Sequence, residues 1–355
     1  MLSKTYHEVV GNVHIHTRRS DGAGTHAEVA RAAQQAGLNF VIPTDHNVLA
    51  VEEEGWRDGV LMLIGEETND PLPPKASHYL AFGIREDVAG FSADPQALID
   101  EVRRQGGFGF IAHPCERPGL FINEPALSWH HWDVNGYVGI SIWNYMSEFK
   151  SYLWNLPAAL WAVYFPHTLI RGPFPESLAL YDRLLAAGRR VPLIGTSDAH
   201  ANTYAAGPWK RVVFPYTYLF RTVNLHLLLP SPLQGELEAD RYLIYEAMMA
   251  GRGFIGYHLL GNPRGFSFVA HTGQSGTLTY GQEANGFDGS VQFVVQSPLP
   301  ARLRLLRDGV LVKQTFGRQM TYRAAQPGVY RVEAYRWAWL RWRGWVFTNP
   351  IYIRL

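Results

Sequence analysis

Cysteine is almost absent from the sequence, which contains Cys115 alone among its 355 residues. A disulfide within the chain is therefore impossible, and a zinc site built from several thiolates is excluded. Any metal site has to use imidazole and carboxylate ligands, for which the chain offers 14 His and 31 Asp and Glu residues. Because such numbers are ordinary, the positions of these residues decide whether they form a site.

A strong net charge and long hydrophobic runs are also missing. The formal net charge is +1, which gives no reason to expect nucleic acid or an acidic membrane as a partner. Residues 1–7 contain no apolar core of a signal peptide, and the apolar stretch 153–165 is too short to span a bilayer and includes Pro157. We interpret this stretch as a buried or cap-forming helix, and we expect no membrane partner and, by default, a cytoplasmic location.

Strand-like and helix-like segments alternate over the first two thirds of the chain. Thr25 and Glu28 form a capping-box pattern, and Gly37 marks the end of the helix that follows. Near-continuous apolar strands favour a parallel sheet, and polar residues gather at strand ends as they do in barrel enzymes. We therefore predict an α/β fold and prefer a closed or distorted (β/α) barrel to an open doubly wound sheet. The apolar strands are predicted at 9–13, 39–44, 60–64, 79–84, 108–112, 137–143, 191–195 and 254–258.

The pattern changes from about residue 287, where short alternating strands begin. Asp308-Gly309 is a hairpin signal, and Pro327-Gly328 is a turn signal. We predict a barrel domain over residues 1–285 and a small β-sandwich-like accessory domain over residues 286–355. The Trp-rich stretch 337–345 is expected to pack against a neighbouring domain rather than to bind a ligand.

Several predicted strands end in histidine or carboxylate residues. His14 and His16 stand two residues apart at a strand end, so their imidazoles point to one face, and Asp198 and His200 repeat this spacing. No structural need explains why strand after strand ends in this way, whereas imidazole with carboxylate suits Zn²⁺, Mn²⁺ or Fe. The candidate metal ligands are His14, His16, Asp21, His46, Glu67, His78, His113, Asp198 and His200.

Each candidate has a structural alternative when it is considered alone. Asp45, next to His46, is a suitable helix cap, and Glu66 competes with its neighbour for any role. His113 precedes a proline and fits a turn, while His78 could donate to a backbone carbonyl within the sheet. The joint pattern, more than any single residue, favours a metal site.

The motifs as a set resemble the PHP (polymerase and histidinol phosphatase) superfamily of metal-dependent phosphoesterases. The resemblance covers roughly residues 7–260, and the later part of this range looks more like the carbaryl-hydrolase-like branch. It implies a distorted seven-stranded (β/α) barrel that carries two or three divalent metals (Zn, Mn or Fe). The matching segments are, in order, 14–17 with 20–22, 44–46, 65–67, 112–114 and 196–200.

The family pattern also implies how the ligands are shared among the metals. Glu67 would bridge the first metal and the second. The first would take His14, His16, Glu67 and Asp198; the second Glu67, His78 and His113; the third Asp21, His46 and His200.

Ligands of this kind imply a hydrolytic reaction. Adjacent divalent metals lower the pKa of a bridging water to about 7 and hold the attacking and leaving oxygens, so no protein nucleophile is needed. Asp45 and the imidazole ligands are candidate general acids. Nearby cations, Arg18, Arg19, Lys210 and Arg211, could hold a phosphate or could equally be solvated surface charge.

Three functions are compatible with these residues. The favoured one is a metal-dependent hydrolase of a small-molecule phosphate ester, because none of the nine ligand positions is lost. The second keeps the metals but cleaves a carbamate, ester or amide. The third is a non-catalytic metal-binding scaffold in which the C-terminal β-domain makes the contacts. The sequence leaves the substrate and the oligomeric state open.

Overall fold

A computed structural model of the chain describes residues 6–206, 209–273 and 276–355. The helices of this part are α1 His26–Ala36, α2 Pro95–Arg104, α3 Tyr145–Lys150, α4 Leu156–Tyr164, α5 Pro175–Ala186, α6 Tyr216–Leu219 and α7 Leu237–Met249. The strands are β1 His7–Asn12, β2 Phe40–Val41, β3 Thr44–His46, β4 Gly55–Arg57, β5 Val60–Met62, β6 Gly65–Thr68, β7 Tyr79–Phe82, β8 Phe108–Ile111, β9 Gly139–Asn144, β10 Leu193–Thr196, β11 Thr203–Ala206, β12 Trp209–Val212, β13 Val223–Leu229, β14 Gly253–Tyr257, β15 Ser267–Thr272, β16 Gly276–Leu278, β17 Glu283–Ala284, β18 Gln292–Arg307, β19 Val310–Arg323, β20 Gly328–Ala338, β21 Arg341–Thr348 and β22 Ile351–Ile353.

Most of the strands belong to two sheets. The first has the order β16-β15-β18-β20-β21-β14-β13-β1-β2-β5-β4, with β19 beside β18 and with β22 between β17 and β20. The second has the order β10-β9-β8-β7-β6-β3, and β11 and β12 form a separate hairpin. The predicted α/β class is therefore confirmed.

The prediction of a parallel sheet is wrong for part of the fold. In the second sheet β7 runs antiparallel to both β6 and β8, whereas β8, β9 and β10 are parallel. In the first sheet β13 is antiparallel to β1 and β14. The connection from β6 to β7 contains no helix among its described residues, so the chain turns back beside its own strand instead of crossing over.

The two sheets meet at the strand ends that carry the candidate ligands. Ile15 forms an isolated parallel bridge with Ala199. His16 N donates to Ala199 O at 2.8 Å, and Thr44 N donates to Ile15 O at 2.8 Å. We call this meeting line the seam. Closure of the strands into a seven-stranded barrel stays a prediction.

The C-terminal strands continue the first sheet. β14 pairs antiparallel with β21, and β15 pairs antiparallel with β18. The predicted hairpin turn at Asp308 and Gly309 is confirmed, since these residues have the positive φ values of 51° and 78° that such a turn requires. Strands on both sides of residue 285 thus share one sheet, and the division into two domains there stays a prediction.

Helix α1 follows directly from its local sequence. The Glu28 carboxylate accepts a 2.7 Å hydrogen bond from Thr25 N, and the Thr25 hydroxyl oxygen accepts one from Glu28 N. Gly37 ends the helix with a φ of 74°. The predicted capping box is confirmed, and the helix places buried Val29 and Ala33 against the strands.

Helix α4 corrects the interpretation of the apolar stretch 153–165. The helix forms as expected, but the residues that it buries are Ala159 and Ala162. Its large side chains, Leu160 and Trp161 among them, are about half exposed at 51% and 52%. Apolar composition predicted the helix but not the face that it buries. No helix in the described parts of the chain is long and apolar enough to cross a membrane.

Candidate metal centre

Five of the predicted imidazole ligands lie around the buried carboxylate of Glu67, which β6 places at the seam. Glu67 Oε2 is 3.0 Å from His14 Nε2, 3.1 Å from His16 Nε2 and 3.3 Å from His46 Nδ1. These imidazoles come from the extension of β1 and from β3, so one carboxylate oxygen is shared by groups from both sheets.

The other oxygen of Glu67 faces a different pair of imidazoles. Oε1 is 2.8 Å from His78 Nδ1 and 3.5 Å from His113 Nε2. His78 Nε2 lies 2.9 Å from Lys75 O, so the backbone contact considered for this residue exists and leaves Nδ1 directed at Glu67. A carboxylate whose two oxygens face separate imidazole groups has the arrangement of a bridging ligand.

Asp198 is the second carboxylate of the cluster. Its Oδ1 lies 3.1 Å from His16 Nε2, 3.3 Å from His14 Nε2 and 3.5 Å from His200 Nδ1. Its Oδ2 accepts a hydrogen bond of 3.0 Å from Asn144 Nδ2. This bond leaves Oδ1 as the oxygen that faces the imidazoles.

Asp21 forms the open side of the cluster, because its side chain is 53% exposed. Its Oδ1 lies 3.3 Å from His200 Nε2 and 3.6 Å from His16 Nδ1, and its Oδ2 lies 3.8 Å from His46 Nε2. Solvent therefore reaches the centre past Asp21, whereas Glu67 is closed off from it.

The grouping of the ligand atoms differs in part from the family pattern. His16 accompanies the predicted third set, and His46 lies with Glu67 and His78 as well as with that set. His113 belongs to none of the groups, although it approaches Glu67. The assignment of ligands to individual metals stays a prediction. Ligand atoms lie within 4.8 Å of one another in three groups: His16, Asp21, His46 and His200; His14, His16 and Asp198; and His46, Glu67 and His78.

Two ligand positions have a strained backbone. His113 has a φ of 23° and Asp198 a φ of 55°, which are uncommon for residues other than glycine. Such conformations cost on the order of 1–3 kcal/mol each and persist where the surrounding structure imposes them, often at functional sites. Here they occur at the two strand ends that turn a side chain towards Glu67 and His14.

Asp45 holds the loop that carries Asp21. Its Oδ1 accepts hydrogen bonds from Thr17 N at 2.7 Å and Ser20 Oγ at 2.6 Å, and its Oδ2 accepts one from Thr17 Oγ1 at 2.7 Å. These bonds make Asp45 a positioning residue for this loop, and its action as a general acid stays a prediction.

Two further positioning residues, Asn144 and Tyr216, were not predicted from the sequence. The Tyr216 hydroxyl donates to His16 O at 2.6 Å and accepts from Gly24 N at 3.1 Å. It therefore fixes both ends of the ligand-bearing loop. A lone asparagine at a strand end and a lone tyrosine carry no motif; the position of Asn144 directly after a predicted strand was the one available signal.

Three of the four candidate phosphate contacts have partners outside the cluster. Arg19 pairs with Glu52 at 2.7 Å, Arg18 donates to a carbonyl of its own loop at 2.6 Å, and Arg211 lies over an aromatic ring. Lys210 is exposed. Phosphate binding by any of the four stays a prediction.

The electrostatics of the cluster keep its carboxylates charged. Burial alone would raise the pKa of Glu67, but the imidazoles of His14, His78 and His46 hold it well below the usual range. Burial lowers the pKa of His46 to about 4, so this imidazole is neutral at pH 7. Charged carboxylates and neutral imidazoles are the forms that bind metals. Nearby carboxylates raise the pKa of other imidazoles of the cluster, His16 among them, so these must release a proton when they bind an ion.

The cluster also contains buried polar atoms that have no hydrogen-bond partner among the described residues. They include both ring nitrogens of His14 and of His16, together with His46 Nδ1, Glu67 Oε2 and His113 Nδ1. Buried polar atoms are nearly always paired, so their concentration here indicates a missing ligand. Atoms that bind one ion at about 2.0–2.2 Å lie roughly 3 Å apart, as the atoms around Glu67 Oε2 do. The residues therefore fit divalent cations.

The chain is similar in structure to PHP-like metal-dependent phosphoesterases. A two-domain protein from Bacteroides vulgatus, containing a predicted PHP-like metal-dependent phosphoesterase, matches with a TM-score of 0.46 and 14% identity over 97% of this chain and 95% of that one. A proposed metal-dependent phosphoesterase from Bifidobacterium adolescentis matches with a TM-score of 0.35 and 17% identity over 59% and 93%. An amidohydrolase from Chromobacterium violaceum with bound sulfate and no metal matches with a TM-score of 0.30 and 14% identity over 58% and 92%.

No protein-family model matches the chain, and no curated protein matches its sequence. The function proposed below therefore rests on the geometry of the site.

Proposed function

We propose that the protein is a metal-dependent hydrolase and that its substrate is a small phosphate ester. One observation carries the proposal: six imidazoles and three carboxylates, brought from both sheets, form one cluster and leave buried ligand atoms without partners. A scaffold without a ligand has no reason to concentrate such atoms.

The chain provides the ligands and holds them in place. When bound, divalent ions supply Lewis acidity towards a phosphoryl oxygen and make water acidic enough to yield hydroxide near neutral pH. Asn144 holds Asp198, and Tyr216 and Asp45 hold the loop that carries Asp21. We expect the substrate to approach past the exposed side chain of Asp21.

A carbamate, ester or amide is the second candidate substrate class. In the described structure Arg18, Arg19 and Arg211 already have other partners, so these three do not form a ready cationic clamp for a phosphate. An acyl substrate needs no such clamp, and the late part of the chain resembles the carbaryl-hydrolase-like branch.

Elemental analysis and a substrate panel test the proposal. The purified chain should contain two or three divalent ions, and a stripped sample should regain activity with Zn²⁺ or Mn²⁺. The panel contains para-nitrophenyl phosphate, its diester, an aryl N-methylcarbamate and an aryl acetate. The His14→Ala variant should lose metal and turnover, while His271→Ala, an exposed histidine of β15, should retain both.

Each outcome separates the candidate functions. Turnover of the phosphate esters supports the phosphoesterase, and turnover restricted to the acyl substrates replaces it with the second class. Bound metal without any turnover favours the scaffold. Less than one ion per chain, with no activity after metal addition, would refute the metal centre itself.

A further inference from the structure

Helix α4 and its two ends expose an unusual group of large apolar side chains. These side chains are between 46% and 60% exposed and lie within twelve consecutive residues. Soluble monomers rarely expose contiguous apolar patches of this kind, and those that exist usually bind something. We call the group the aromatic face: Trp154, Leu156, Leu160, Trp161, Tyr164 and Phe165.

Neighbouring segments extend this surface. Phe121 N donates to Leu153 O at 2.8 Å, which brings the exposed apolar loop 120–122 beside Trp154. At the other end of the helix, the ring of His167 lies 4.9 Å from that of Trp339, which is itself 41% exposed. The apolar surface therefore spans three separate parts of the chain.

Exposed cations border the aromatic face. Arg171 follows the helix, and Lys210 and Arg211 are exposed in the adjoining hairpin. The Arg211 guanidinium lies 4.4 Å from the centre of the Tyr164 ring, so this cation reaches the face itself. The acidic residue next to loop 120–122, Glu124, is paired with Lys150 at 2.8 Å, which leaves these cations without a nearby acidic partner in that loop.

We propose that the aromatic face binds the surface of an anionic lipid bilayer. Tryptophan and tyrosine favour the level of the lipid headgroups, and lysine and arginine beside them are attracted to anionic lipids. A second copy of the chain fits less well, because pairing this face with itself would bring together two surfaces that both carry cations. The proposal replaces the expectation of no membrane partner, which rested on the lack of a spanning segment and of net charge.

The hairpin β11–β12 links the metal cluster to the aromatic face. It begins three residues after the ligand candidate His200, and its Arg211 contacts Tyr164 of the face. Bilayer binding would therefore bring the cluster close to the lipid headgroups. The binding itself does not depend on the proposed hydrolysis and is tested without it.

Vesicle flotation of the full chain tests the proposal. Vesicles of phosphatidylcholine with about one third phosphatidylserine should carry the protein upwards, whereas vesicles of phosphatidylcholine alone should carry at least several-fold less, and raised salt should weaken binding. The Leu160→Ser/Tyr164→Ser double variant and the Lys210→Glu/Arg211→Glu double variant should each lower binding at least fivefold. Tyr242→Ser is the matched control, because Tyr242 is 65% exposed on α7.

Circular dichroism and metal content of each variant establish that it is folded. The proposal is overturned if folded wild-type protein ignores the anionic vesicles, or if both double variants bind them like the Tyr242→Ser control. Light scattering tests the alternative that a second copy of the chain binds to the aromatic face. A dimer that the Leu160→Ser/Tyr164→Ser variant dissociates, without vesicle binding by the wild type, assigns the face to a second copy and also overturns the proposal.

Discussion

Asn144 and Asp198 are joined by a hydrogen bond of 3.0 Å between the side-chain amide of the first and Oδ2 of the second. The same asparagine caps helix α3, since its Oδ1 accepts a hydrogen bond from Ser147 N at 3.1 Å. One side chain thus begins a helix and orients a metal-ligand candidate on the neighbouring strand.

Replacing this amide by a carboxylate should weaken metal binding without unfolding the helix. Asn144→Asp keeps the cap but loses the donor to Asp198, so we expect metal affinity to fall about 10- to 100-fold. Competition with a chromogenic chelator measures the change. Asn155→Asp is the control, because Asn155 caps α4 through a 3.0 Å bond from Ala158 N and should leave the affinity unchanged. Equal affinities in both variants would contradict the positioning role.

Glu67→Gln should remove metal, whereas Glu66→Gln should not. Glu67 faces the imidazoles, and its amide would lack the charge that compensates an ion. Glu66 points instead to Val88 N, at 3.0 Å, and burial raises its pKa to about 7, so glutamine resembles its protonated form. Elemental analysis of the two purified variants should show almost no metal in the first and wild-type content in the second. Wild-type metal content in Glu67→Gln would remove Glu67 from the centre.

The stability that bound metal adds to the protein should increase as the pH rises above about 6.5. In the metal-free chain burial lowers the pKa of His16, but the nearby carboxylates of Asp198 and Glu67 outweigh it and raise the pKa well above 6.5. The stability that protonated His16 contributes is complete below that value and is lost as the pH rises through its raised folded pKa. The pKa values of Glu67 and Asp198 are lowered, so these carboxylates affect the stability of the protein only at acidic pH.

Metal binding has the opposite pH dependence, because the imidazoles must release their protons first. We therefore expect the difference between the unfolding temperatures of the metal-loaded and the metal-free protein to increase from about pH 6 to about pH 8.5. Parallel curves over this range would show that the imidazoles do not bind the ion.

Lys150 should be more important for stability than a surface cation. Its Nζ contacts Glu116 at 2.7 Å, and the two side chains are only 6% and 4% exposed. Lys150→Met leaves the buried Glu116 carboxylate without a compensating positive charge, which costs about 3–5 kcal/mol of unfolding free energy. Urea unfolding of the metal-free protein measures this loss, and Glu116→Gln in the same chain should recover part of it. Arg117→Met, which removes an exposed partner of Glu176, should change stability little.

The candidate site could be predicted because its chemistry is repeated along the chain. Histidine and carboxylate residues at the ends of successive strands indicated one common place, and the structure brings His14, Glu67, His113 and Asp198 together there. Whether they bind metal stays a prediction. Asn144 and Tyr216 could not be found in this way, because their partners lie 54 and 200 residues away and no pattern links them.

The positions of the strands could be predicted from the sequence better than their directions and their pairing. An apolar strand has the same sequence pattern whichever way its neighbour runs, so the antiparallel β7 was not foreseen. The pairing of β21 with β14 joins segments that are far apart in sequence. The exposure of α4 also depends on tertiary contacts, because a helix of apolar residues fits either a core or a surface.

The seam has a consequence for the lifetime of the protein. His14 and His16 extend the first sheet, while Glu67 and Asp198 belong to the second, and Ile15 bridges to Ala199 between them. An ion held by these residues would cross-link the two sheets, and its loss would let them separate there before either one unfolds. Proteases would then cut the stripped protein first, so the supply of metal in the cell would set how much of the protein persists.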